Sequence, residues 1–257
     1  MKYVMITGAT SGIGYEISKL YFKKGYSLIL VGRNKIKLQN LKKNLVAKNI
    51  NQTNQNIRAY VKDLSLDNAG TELYNEIKKD TLVVQILINN AGAGYVGEFK
   101  NYDYKFHTEI MRLNMDSVTQ LTYCFGKDMC RRRSGKILNI ASTGGYHPGA
   151  YTALYYATKA YVLSLSEALN SEMKPYGVSI SALCPGATDT NFSKKAGRKE
   201  TKLAMSPKFV AKKAILGVDK NKRVIVPGVK NKLFVKLPRN IAAYLVERYQ
   251  DKLREIN

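Results

Sequence analysis

Tyr155 and Lys159 stand four residues apart in a segment, Ala153–Lys174, whose apolar spacing predicts a helix, so the two side chains share one face. A free phenol ionises near pH 10, and working at neutrality calls for a shift of roughly three units, or about 4 kcal/mol. An ammonium one turn away favours the phenolate and supplies part of that shift. The pair reads as a proton-transfer device. Ser142 lies thirteen residues before Tyr155 at a predicted strand exit, where its hydroxyl can hydrogen-bond and orient a reacting oxygen. With 18 tyrosines in the chain, and Tyr156 only three residues from Lys159, these residues alone leave the phenol's identity open.

A second constellation lies at the N-terminus. The run Thr7-Gly8-Ala9-Thr10-Ser11-Gly12-Ile13-Gly14 follows the first predicted strand and opens the first predicted helix. A dinucleotide pyrophosphate needs a backbone that approaches closely and free N–H groups at a helix start. Gly8, Gly12 and Gly14 meet the first need, and Thr10 and Ser11 add hydroxyl donors. The spacing is GxxxGxG rather than GxGxxG. After the second strand comes Leu30-Val31-Gly32-Arg33-Asn34, with no acid to accept from a free ribose 2′-OH. Arg33 suits a 2′-phosphate instead, which predicts NADP(H) over NAD(H), the latter staying possible. Asp63-Leu64 at the third strand exit is placed to hold an adenine edge. Asn89-Asn90-Ala91-Gly92 ends the fourth strand with amides that can pin neighbouring backbone and small residues that leave room for a flat ligand. Cys184-Pro185-Gly186 makes a rigid turn, followed by the donors Thr188 and Thr190.

The elements that must position these groups alternate. Strands are predicted at Lys2–Ile6, Ser27–Val31, Ile57–Val61, Val84–Ile88, Lys136–Ile140, Val178–Leu183 and Arg223–Val226. Helices are predicted at Gly12–Lys24, Lys35–Lys48, Asn68–Lys79, Tyr102–Arg132, Ala153–Lys174, Pro207–Val218 and Asn231–Glu255, the last interrupted by Pro238. The strands are Val-, Ile- and Leu-rich without polar alternation, as in parallel sheets covered on both faces. The pattern predicts an α/β fold, a doubly wound parallel sheet of about seven strands with helices on both faces. Its ligands would bind beyond the carboxyl ends of the strands, where the groups above fall.

In order and spacing these residues resemble the short-chain dehydrogenase/reductase family. The resemblance rests on TGxxxGxG, Asp63, the Asn89–Gly92 run, Asn114, Ser142, Tyr155-x-x-x-Lys159 and the Pro185-Gly186 turn with Thr190, and it covers Lys2 to Val226. It implies one NAD(P)-binding Rossmann-type domain, taken over residues 1–257 with a substrate flap at 187–206, and charge with apolar spacing adds a basic C-terminal helical segment at 231–255. It implies an oxidoreductase that interconverts a carbonyl and an alcohol, with Tyr155 as general acid in reduction and base in oxidation. The thirteen-residue gap from Ser142 selects Tyr155 over Tyr156. Lys159 would also hold the nicotinamide ribose, and Asn114 would join a water-linked proton relay to Lys159. The implied cofactor contacts are Gly8, Thr10, Ser11, Gly12, Ile13, Gly14, Arg33, Asp63, Leu64, Asn90, Ala91, Gly92, Tyr155, Lys159, Pro185, Gly186, Thr188 and Thr190. The text from Ser166 to Phe192 is most similar to a branch related to ketoacyl and hydroxysteroid reductases, so the implied substrate is a hydrophobic ketone or aldehyde. An NAD-dependent dehydrogenase working oxidatively, and a non-catalytic NADPH sensor, are the competing readings.

Composition bounds the rest. At 257 residues, 45% hydrophobic and 24% charged, the chain reads as globular. The apolar pattern begins by Tyr3, leaving no room for a cleavable signal, and no run reaches membrane-span length. Three cysteines without a CxxC pair fit a reducing cytoplasm, and two histidines argue against a metal site. The net charge is +23, of which +13 falls in residues 194–257, with 18 Lys and Arg against 5 Asp and Glu. No nucleic-acid motif accompanies it. Lys194, Lys195, Arg198, Lys199 and Lys202 would make the flap basic, suiting an anionic tail on the substrate. Tyr146, His147, Tyr151 and Phe192 would line an aromatic pocket rim. Leu233, Leu237, Ile241 and Leu245 recur every four residues among cations, as in a helix packed on its own domain, on a partner, or on an anionic membrane surface. A homodimer or homotetramer is implied by the resemblance.

Overall fold

A computed structural model describes residues 2–47, 54–192, 196 and 204–254. Seven strands form one parallel sheet: β1 (Lys2–Thr7), β2 (Ser27–Gly32), β3 (Ile57–Val61), β4 (Val83–Asn89), β5 (Gly135–Ile140), β6 (Val178–Leu183) and β7 (Val224–Ile225). Their order is β3-β2-β1-β4-β5-β6-β7. Chain direction across the sheet reverses between β1 and β4, and a crevice opens beyond strand ends at such a point.

Nine helices among the described residues surround the sheet: α1 (Gly12–Lys23), α2 (Lys35–Ala47), α3 (Ala69–Lys79), α4 (Tyr104–Met111), α5 (Ser117–Arg131), α6 (Ala153–Met173), α7 (Pro207–Asp219), α8 (Val229–Phe234) and α9 (Arg239–Arg254). Successive strand residues point to opposite faces. Val4, Ile6, Leu28 and Leu30 thus meet Ile17, Leu38 and Val210 of α1, α2 and α7 in one core. Tyr3, Met5, Ile29 and Val31 meet Leu73, Ile77, Phe125 and Met129 of α3 and α5 in the other.

The long helix expected over Tyr102–Arg132 runs from Tyr104 to Arg131, but not as α-helix throughout. Between α4 and α5, Arg112–Asp116 forms a π-helical turn with Asn114 at its centre. Ser117 Oγ donates to the Leu113 carbonyl at 2.8 Å and Thr119 Oγ1 to that of Met115 at 2.9 Å. Such back-bonding competes with the regular helical ladder, and π turns frequently mark functional positions. The C-terminal helical stretch is broken as Pro238 requires, into α8 and α9.

Candidate active site and cofactor cleft

The glycine turn is fastened to the end of β4 by side chains. Asn90 Nδ2 donates to the carbonyls of Thr7 (2.9 Å) and Gly8 (3.1 Å). In return, the backbone N–H groups of Asn90 and Ala91 both donate to Thr7 Oγ1 at 2.9 Å. Gly8 and Gly12 have φ of 61° and 54°. A Cβ at Gly8 would lie 3.0 Å from Ala91 Cα, and one at Gly12 would lie 2.9 Å from Thr190 Cγ2. Side chains are excluded at both positions by conformation and by space. Gly14 sits behind them against the Gly8 carbonyl. Ser11 precedes α1 in extended conformation without capping it through its side chain, and no acid occupies the first turn. The first-turn N–H groups of α1 are therefore available to an anion. This cradle fits a dinucleotide pyrophosphate.

Arg33, Asp63 and Leu64 lie further out. Arg33 is exposed at the end of β2, with Nη1 3.5 Å from Asp63 Oδ2. Burial works against the charge on Asp63, but hydrogen bonds from the Ser65 hydroxyl and N–H, with Arg33 adding to them, hold it below the usual carboxylate range. The Leu64 side chain is packed in the core, which leaves only its backbone for a ligand. Thr10 borders Gly32 through its methyl group.

A cavity of about 540 Å³ gathers most of the remaining candidates: Gly8, Ser11, Gly12, Ile13, Asn90, Ala91, Gly92, Ser142, Tyr155, Lys159, Pro185, Gly186, Thr188 and Thr190. Thr188 Oγ1 and Thr190 Oγ1 donate to carbonyls of their own loop, those of Gly186 and Thr188.

Tyr155 and Lys159 are buried at 6% and 5% exposure, one turn apart on α6. Lys159 Nζ donates to the Ile140 carbonyl at 2.7 Å and lies 5.8 Å from the Tyr155 ring centroid. Its ammonium is thus directed at the end of β5, beside the phenol. Burial lowers its pKa to about 8, so it remains mostly protonated at neutral pH. Tyr156, the rival phenol, has its ring pressed against Gly144 and Gly149. Ser142 Oγ accepts from the Gly144 N–H at 3.0 Å, which fixes the hydroxyl at the mouth of β5. Asn114 is fully buried behind the cavity. Its Oδ1 accepts from the Ala93 N–H at 2.9 Å, and its Nδ2 donates to the Ala93 carbonyl at 2.8 Å and to Thr158 Oγ1 at 3.0 Å. It clamps the loop after β4 to α6 between Tyr155 and Lys159.

The pocket rim differs from expectation. Tyr146, His147 and Tyr151 do not line the cavity, whereas Phe192 does. Tyr146 packs against a third core cluster that includes Ala141, Val162 and Cys184. His147 is buried with Nε2 3.2 Å from the Phe234 carbonyl. The outer wall comes instead from α8 and α9, through Asn231, Phe234, Leu245, Val246, Tyr249 and Gln250. Gln250 is 2% exposed, and its Oε1 has no hydrogen-bond partner among the described residues. Lys194, Lys195, Arg198, Lys199 and Lys202 of the flap lie outside the described residues; either side of them, Thr188 and Met205 form a β-bridge.

Two features escaped the sequence. One is the α8–α9 wall, whose role depends on where a chain terminus folds back. The other is a buried chain in which Asn89 donates to Asn139 and Thr122, and Asn139 donates to Ser166. Adjacency of Asn89 and Asn139 follows only from the β4–β5 register.

A family model described as short chain dehydrogenase matches residues 2–201. The chain belongs to the short-chain dehydrogenase family. Its fold is accordingly the family's NAD(P)-binding Rossmann type. The very-long-chain 3-oxoacyl-CoA reductase of Phaeosphaeria nodorum is 34% identical over 216 residues, which are 82% of this chain and 61% of the relative. The chain thus spans about three fifths of the length of the first curated relatives it matches. Among solved structures, a short-chain dehydrogenase from Sphingobium yanoikuyae in complex with NADPH superposes with a TM-score of 0.82 at 28% identity, covering 93% of this chain and 97% of that one. A bulky-bulky ketone specific alcohol dehydrogenase from Comamonas testosteroni gives 0.79 at 27% identity, covering 93% and 96%.

Proposed function

We propose that the chain reduces a hydrophobic ketone, of the 3-oxoacyl or similarly bulky kind, with NADP(H). The observation that carries this reading is a buried ammonium beside a buried phenol, in a cavity with a glycine cradle at one end and an apolar wall at the other. Tyr155 gives its proton to the carbonyl oxygen as that oxygen becomes an alkoxide. Lys159, fixed by the Ile140 carbonyl, stabilises the phenolate left behind. Ser142 hydrogen-bonds the same substrate oxygen and sets its approach. Asn114 holds the loop after β4 in place. The bound dinucleotide supplies the hydride. Its pyrophosphate would rest on Gly8, Ser11, Gly12 and Ile13, and its nicotinamide end on Asn90–Gly92 and Pro185–Thr190.

NADP(H) is supported by Arg33 and by the lack of an acid at the end of β2. The Arg33–Asp63 pair is long and exposed, so a 2′-phosphate competes for the guanidinium with little loss. The Sphingobium structure, with NADPH, agrees with this choice. The substrate class is supported by Phe192, Phe234, Leu245 and Val246 in the wall and by the relatives' printed activities. A second copy of the chain would pair through α5 and α6, where Tyr123 and Tyr161 are exposed.

The test is turnover of 3-oxoacyl thioesters of graded chain length and of bulky ketones, each with NADPH and with NADH. NADPH-dependent turnover that improves with apolar size supports the reading. Preference for NADH, or dinucleotide binding with no turnover of any carbonyl compound, contradicts it.

A further inference from the structure

A surface helix ordinarily turns its apolar stripe inward and its polar residues to water. α9 does both and something more. Ala242 and Val246 are buried at 0% and 6%, but Ile241, Tyr244, Leu245 and Tyr249 are 47–59% exposed. Those four recur at i, i+3, i+4 and i+8, so they share one outward face. On α8, Val229 and Leu233 stand one turn apart at 73% and 63% exposure. Exposed cations surround this apolar surface: Lys230, Lys232, Lys236, Arg239 and Arg248. From 229 to 251 the chain carries those five against Glu247 and Asp251.

We propose that α8 and α9 dock on an anionic lipid surface, with the exposed apolar side chains in the headgroup–acyl boundary and the cations at the phosphates. No helix among the described residues, α8 and α9 included, is long and apolar enough to cross a membrane. Charge argues against a second copy as the occupant. A two-fold contact would bring two copies of the same net-positive patch face to face, whereas anionic headgroups neutralise it. The surface also joins the cavity: Leu245 and Tyr249 line it while standing half-exposed at its edge. A lipophilic carbonyl compound would pass from the lipid to Tyr155 without crossing bulk water. That last step rests on the proposed function; the docking itself does not.

The test is co-sedimentation of the full chain with phosphatidylcholine vesicles, with and without about 30% phosphatidylserine. Binding to the anionic vesicles alone is expected, falling by at least about tenfold between low and high salt. The triple variant Leu233→Asp, Ile241→Asp, Tyr244→Asp should lose binding and keep wild-type turnover of a short water-soluble ketone. The variant Lys232→Gln, Lys236→Gln, Arg239→Gln keeps the apolar face, and it should weaken binding about tenfold. Equal binding to neutral and anionic vesicles, binding to neither, or full binding by both variants overturns the proposal. So does a dimer that the triple Asp variant turns into a monomer while vesicles remain unbound. Vesicle binding without turnover of any ketone would sink the proposed function and leave the docking surface standing.

Discussion

The two ends of the cavity are built in different ways. At the cofactor end, four hydrogen bonds tie Thr7 and Gly8 to Asn90 and Ala91 between the ends of β1 and β4, and Gly8 and Gly12 occupy conformations and spaces closed to other residues. At the outer wall, α8 and α9 supply Phe234, Leu245, Val246 and Tyr249 alongside Asn231 and Gln250, joined to the loop after β5 by the contact between His147 and Phe234. The first end is specified atom by atom, so substitution there should weaken or redirect dinucleotide binding. The second is specified by shape and apolar character, so substitution should retune the choice of substrate. Between them Lys159 carries the electrostatics of the reaction.

The largest effect is expected between the two ends. Lys159→Met should lower kcat by about a thousandfold, the range of a lost acid–base contribution, in steady-state assays at saturating NADPH. It also has a stability signature. Burial holds the wild-type ammonium at about 8 against its usual 10.5. The folded state therefore carries an unfavourable charge below pH 8 and is relieved of it before the unfolded chain is. Relative to Lys159→Met, wild-type unfolding free energy should be flat below pH 8. It should then rise by about 3 kcal/mol between pH 8 and 10.5, measured by denaturant titration without cofactor.

Next comes the cofactor end. Gly8→Val places a branched side chain at φ 61° against Ala91, and NADPH affinity by fluorescence titration should fall about a hundredfold. Arg33→Asp should lower the NADPH-to-NADH preference in kcat/KM by about tenfold to a hundredfold, with Asp63 no longer paired. The smallest effect belongs to the apolar wall. Phe234→Ala should raise KM for long-chain substrates about fivefold and leave a short ketone unchanged, as for a lost apolar contact. If Phe234→Ala instead weakened NADPH binding as strongly as Gly8→Val, the contrast between the two ends would fail.

The same contrast sets what the sequence reveals. The glycine run, Asn90 and the Tyr155–Lys159 pair are legible because each demands particular residue types at fixed offsets along one local segment. The sheet is legible because uninterrupted Val, Ile and Leu runs mark strands covered on both faces. The π turn at Asn114 is not, since a helical apolar pattern runs through it and the Ala93 backbone that Asn114 holds is distant in sequence. Tyr146 and His147 look like pocket residues by proximity to Ser142, yet the first packs beside Cys184 and the second reaches Phe234. The wall from α8 and α9 is invisible in sequence, because an apolar stripe at helical spacing does not say which body it covers.

The central claim is that Tyr155 moves the proton, and single-turnover reduction by Tyr155→Phe tests it most directly. NADPH affinity should stay within about twofold of wild type while the rate of NADPH oxidation falls by about a thousandfold. A rate within about threefold of wild type at equal occupancy would contradict the account.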